Sequence, residues 1–126
     1  MIPTFIKSYT ALAAVAGYRI VAFADAANDT TVQTAAANTD PVLGVSDRLG
    51  ADAGQMLDVH RGGLLSVQLG GAVNAGDPLT SDADGKAIAA VAAAGTTVRI
   101  VGYADEPGIA DDVVDFFFAP GILHQA

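Results

Sequence analysis

Apolar and polar residues alternate with a period of two through several short stretches of this chain, and turn-forming residues separate the stretches. In "MLDVHR", Leu57 and Val59 fall on one side, with Met56, Asp58 and His60 on the other. In "LLSVQL", Leu65, Val67 and Leu69 share a face opposite Ser66 and Gln68. In "TVRIVGYA", Val98, Ile100, Gly102 and Ala104 alternate with Thr97, Arg99, Val101 and Tyr103. That period belongs to a half-buried β-strand. "RIVAFA" (Arg19 to Ala24) and "TVQTA" (Thr31 to Ala35) are two further strand-forming runs, parted by "AAND". Gly62-Gly63 predicts a two-residue hairpin between "MLDVHR" and "LLSVQL". "TALAAVAG" and "AIAAVAAAG" carry helical propensity, but runs this short do not hold a helix without packing. The pattern predicts an all-β chain: a single compact β-barrel or β-sandwich (jelly-roll-like) domain of short strands over residues 17–126, behind an N-terminal arm at residues 1–16.

The last strand is the most informative. In "DDVVDFFFAPG", Val114, Phe116 and Phe118 share a face that is apolar throughout and is predicted to be core. Val113, Asp115 and Phe117 share the other face, where a central carboxylate opposes full burial. Those three residues are the candidate interface, because aromatic side chains are enriched where proteins meet. There is also an echo within the chain. "LGVSDRLGADAGQMLDVHRGG" (Leu43 to Gly63) aligns without gaps on "VGYADEPGIADDVVDFFFAPG" (Val101 to Gly121), placing Gly44 on Gly102, Asp47 on Asp105, Gly50 on Gly108 and Gly63 on Gly121. This is either one β-unit used twice or coincidence in a chain rich in Gly and Asp.

Composition narrows the function. Fourteen acidic against six basic residues give a net charge of −8, which disfavours nucleic acid and anionic membrane surfaces as partners. No apolar run approaches the ~18 residues of a membrane span. Ser8, Tyr9 and Thr10 interrupt the apolar stretch near the N-terminus, so the arm reads as ordered or docked rather than as a cleaved signal. Without Cys there are no thiolate metal sites or cysteine nucleophiles. "GDPLTSDADGKAI" (Gly76 to Ile88) resembles a calcium loop at Asp82, Asp84 and Gly85, yet it lacks the third carboxylate and the closing Glu that such a loop needs. Its Lys86 follows the turn at Gly85 and reads as a solvated edge residue rather than a carrier lysine. Asp111, Asp112 and Asp115 form a second acidic cluster, with Asp111 and Asp112 read as a solvated turn. His60 and His124 have no partner at metal-ligand spacing, and neither Ser46-Asp47 nor Ser66 sits in a nucleophile elbow. No catalytic residue, cofactor or metal is expected, and the chain reads as built to pack and to bind.

The order of the motifs then carries a resemblance. "AGYRIVAFADA", "TDPVLGVSD", "AGQMLDVHRGG", "GGAVNAGDPLTSDADGKAI" and "VRIVGYADEPG…DDVVDFFFAPG" follow one another as in the small capsid cement (decoration) proteins of tailed bacteriophages. The resemblance runs from about Gly17 to Gly121 and is strongest over Ala75 to Ala87. It implies a compact β-domain present in many copies on the outer surface of the capsid, as a homo-oligomer (dimer or trimer). Its partner would be the major capsid protein, across whose contacts it would sit. The alternatives are a surface-displayed host- or glycan-binding β-domain and a small carrier or ligand-binding barrel.

Overall fold

The computed structural model describes residues 1–126 as nine strands and no helix. They are β1 (Ile2–Ala11), β2 (Ile20–Phe23), β3 (Thr31–Thr34), β4 (Val42–Ser46), β5 (Met56–Gln68), β6 (Pro78–Ser81), β7 (Ala87–Ala89), β8 (Thr97–Ala104) and β9 (Val113–His124). The pairing order is β1-β3-β2-β4-β5-β9-β8-β6-β7, and β1 also pairs with β5. The first five strands therefore close into a ring, sealed by parallel β1–β3 pairing at Thr10↔Thr31 and Ala11↔Val32. The second half of β5 continues into a second ring with β9, β8, β6 and β7, closed by a parallel bridge from Leu69 to Ala87. Of the sixteen residues read as an arm, Ile2–Ala11 form β1, and Tyr9, Ala11 and Val15 are buried.

The echo in the sequence is a repeated structure. At the offset that carries Gly44 onto Gly102, Val15 falls on Val73, and both are bridged by reciprocal backbone hydrogen bonds, to Ala51 and to Gly108. Tyr18, a non-glycine with φ 59°, falls on Gly76 with φ 88°. Beyond the acidic turn the second copy is one residue shorter, so Gly54 (φ 80°) corresponds to Asp111 (φ 72°), Gly108 falls on Ala51 rather than Gly50, and Gly63 does not fall on Gly121. Ser8 donates to Asp58 at 2.7 Å, and its counterpart Ser66 donates to Asp115 at 2.8 Å. The ring interiors match as well. Tyr9, Ala11, Val15, Val21, Leu43, Leu57 and Val59 pack together in the first ring. Their counterparts Val67, Leu69, Val73, Leu79, Val101, Val114 and Phe116 lie in the core of the second. Ile20, Ala22, Ala35 and Val45, on the outside of the first ring, join that second core and fuse the two rings.

Four local expectations change. A bulge between Ile100 and Gly102 breaks the alternation of β8, so Val101, placed on the side of Thr97, Arg99 and Tyr103, is buried in the core. Gly62-Gly63 is not a hairpin, because β5 runs unbroken through it. A Cβ on Gly63 (φ 93°) would collide with the Ile2 carbonyl, and one on Gly62 would meet Thr4 Oγ1 at 2.8 Å, so these glycines admit β1. His60, placed on the polar side of its strand, is buried, with no hydrogen-bond partner for Nδ1. Lys86 is not a free edge lysine: its Nζ lies 2.8 Å from Asp111 Oδ1, tying the β6–β7 turn to the turn before β9. The two Ala-rich runs form no helix, since the first supplies the end of β1 and the second supplies β7.

Candidate functional site

The residues with chemical potential are spent on the fold. Asp82 Oδ1 accepts hydrogen bonds from the backbone N–H groups of Asp84 (2.8 Å) and Lys86 (2.9 Å), which shapes its turn. Asp112 Oδ2 accepts from Ile109 N–H, and Asp115 accepts from Ser66 and from the Met1 amino group. His124 Nδ1 lies 2.7 Å from Thr97 Oγ1, and Ser46 Oγ donates to the Ala16 carbonyl. No three His, Cys, Asp or Glu side chains converge as a metal site would require. The Lys86 ammonium, by hydrogen bond and by charge, holds the Asp111 carboxyl below its ordinary value, with a smaller contribution from Arg19. A shallow depression of ≈ 370 Å³ lies among Phe23, Ala26, Ala27, Asn28, Asp29 and Pro41, with no converging set of titratable groups.

The outer face of the second ring is different. In β9, Val114 and Phe116 are buried and Phe118 packs against the core, whereas Val113 and Phe117 are exposed and Asp115 is half-buried. Register places Phe117 in a row that crosses five strands: Ile2 opposite Leu64, Leu64 opposite Phe117, Phe117 opposite Tyr103, Tyr103 opposite Pro78. Cross-strand partners share a face, so these side chains form one apolar stripe. The first ring carries the counterpart row, Ile6, His60, Val45 and Ile20, paired in the same order. There the second ring covers most of it. His60 is 7% exposed and Val45 0%, against 57% for Phe117 and 44% for Tyr103. One row is an interface already made within the chain; its equivalent is open.

The candidate residues Val113, Asp115 and Phe117 thus lie on one outward face of β9. The alternation did not reveal Ile2, Leu64, Tyr103 or Pro78, because that row exists only through register between strands distant in sequence. The available signal was the echo itself, which aligns Tyr103 with Val45.

Compared with known families, residues 4–117 match the phage cement proteins. The chain belongs to that family. Among solved structures, it is similar to the head fiber gp8.5 N base of bacteriophage phi29, with a TM-score of 0.67 and 24% identity over 91% of this chain and 93% of that one. At that identity the likeness speaks for the fold. A comparison with curated proteins finds no match. Membership makes this chain a structural component of a phage head, and the all-β architecture expected for such a protein is the one observed.

Proposed function

We propose that this cement-family chain binds the outer surface of a phage head as a homo-oligomer of two or three copies and stabilises contacts between major capsid proteins. The docking face is the outer side of β9, with Val113, Asp115 and Phe117, extended by Tyr103. One observation carries this reading: the Phe117–Tyr103 row is the uncovered counterpart of a row that the fold buries elsewhere. Exposed aromatic side chains of this kind anchor protein interfaces, and truncating such an anchor can cost roughly 2 kcal/mol, or about thirtyfold in affinity. The strong negative charge suits a protein that must hold a shell without holding the genome inside it.

Heads purified without the protein and re-decorated with it provide the test. Phe117→Ala should keep its fold while its occupancy at limiting concentration drops at least tenfold. Occupancy equal to wild type would remove the docking face from this account. In complete virions the copy number should be comparable to that of the major capsid protein, whereas a sparse count would favour a host-binding role.

A further inference from the structure

The pairing leaves two strand edges partly bare, one along β1 and one along the second half of β9, and we propose that these edges pair between copies, the β1 edge of one with the β9 edge of the next. This names the contact behind the homo-oligomer proposed above and rests on that reading. β1 pairs with β5 along one edge from Ile2 to Thr10, but its other edge meets β3 only at Thr10 and Ala11. From Ile2 to Tyr9 that second edge is unpaired, and Ile2, Phe5 and Ile6 are exposed beside it. In β9 the pairing with β5 ends at Phe117, so from Phe118 to His124 only β8 is attached, and Ile122 is exposed.

Bare edges of this length invite another strand, and proteins usually blunt them with charge, proline or brevity. Here Pro3 and Pro120 interrupt the edges but leave Phe5–Tyr9 and Gly121–His124 able to pair, and Lys7 is the only charged side chain in β1. The fold shows that such an edge accepts a strand. Ile6 corresponds to Leu64 in the repeat, and Leu64, paired with Phe117 on one side, takes Ile2 on its other. The site of a further antiparallel strand is thus filled beside β5 and vacant beside β1. Charge favours a second copy as the occupant. In a chain of net charge −8, no Asp or Glu precedes Asp25 and none follows Asp115, so neither bare segment carries a carboxylate side chain of its own. Unlike edges meeting head to tail close as a ring of copies when the rotation between successive copies is a whole fraction of a turn, and otherwise extend as a filament.

Sedimentation of the protein alone, without heads, tests this independently of the docking face. The wild type should associate at tens of micromolar. Phe5→Lys and Ile122→Lys should each sediment as monomers with unchanged β-sheet circular dichroism, and Ile6→Lys replaces Phe5→Lys if the latter perturbs the fold. A mixture of a β1 variant with Ile122→Lys should form a 1:1 pair, because each keeps the edge the other has lost. Phe117→Ala should associate as wild type does. A monomeric wild type, a variant that still associates alone, or a mixture that stays monomeric would each overturn the proposal. A monomer whose capsid binding is lost with Phe5→Lys would reassign the β1 edge to a strand of the capsid.

Discussion

Phe116 and Phe117 are adjacent in the chain and have opposite surroundings. Phe116 is fully buried in the second ring, and Phe116→Ala should cost about 3–5 kcal/mol in a denaturant melt. Phe117→Ala removes a ring that is more than half exposed, so its midpoint should stay near that of wild type. The reverse ranking would mean that the two faces of β9 are exchanged. The sequence allowed this assignment because an Asp between Val113 and Phe117 marks the outward side. His60 misled for a related reason. It occupies the position of Phe117 in the first copy, where polarity alone suggests an outward side chain, yet it is buried beside Val45, which belongs to the second core. Alternation identifies the faces of a strand; what later covers a face is a tertiary fact.

At the level of elements, the alternating pattern cuts in two a strand, β5, that the fold keeps whole. Two consecutive glycines between alternating runs signal a hairpin, but close approach of another backbone also requires glycine, and β1 makes that approach here. Gly63→Ala places a Cβ against the Ile2 carbonyl at a φ that disfavours any side chain, so it should cost on the order of 1–3 kcal/mol. The loss should begin locally, with amide exchange in β1 accelerating before the rest of the sheet. The Lys86–Asp111 tie between two turns makes a pH-dependent prediction. A carboxyl whose folded pKa lies below its unfolded value contributes above that unfolded value, and the contribution disappears as the pH falls through the folded one. The difference in melting temperature between wild type and Asp111→Asn should therefore be steady above about pH 4 and shrink towards zero in stronger acid, starting near the ordinary value of 3.8. Asp111 is exposed, so the difference should be small and should weaken with salt.

Over the whole molecule, the chain is one β-unit written twice and joined through a shared strand. Matching glycines exposed part of this in the sequence: a Cβ at Gly44 would collide with the His60 carbonyl, and one at Gly102 with the carbonyl of Phe117, the counterpart of His60. The rest was illegible, because the second copy conserves contacts rather than residues, with Gly76 where the first copy has Tyr18. An all-β domain was legible from period and punctuation; two fused rings were not, since ring closure depends on pairings between Ala11 and Val32 or Leu69 and Ala87 that no local pattern encodes. If the protein binds only the assembled lattice, mass action favours the intact shell. Heads lacking it should form normally and release DNA at a lower temperature than decorated heads. Equal release temperatures would separate family membership from a cementing role in this phage.

The long pairing of β1 with β5 also sets a schedule. Of the nine strands β1 is synthesised first, but apart from its last two residues, which meet β3, its partners lie at Met56–Leu64, so almost half the chain must emerge before most of β1 has anywhere to settle. At ribosomal rates of about 5–20 residues per second, that delay lasts seconds, long compared with the microseconds in which a local hairpin forms. During it, Ile2, Phe5 and Ile6 stand bare on a nascent segment that many copies of the same product share. A stall or truncation anywhere before β5 is complete would leave that segment permanently unpaired, so the first strand to be made is the one whose fate depends most on the rest of the message being read.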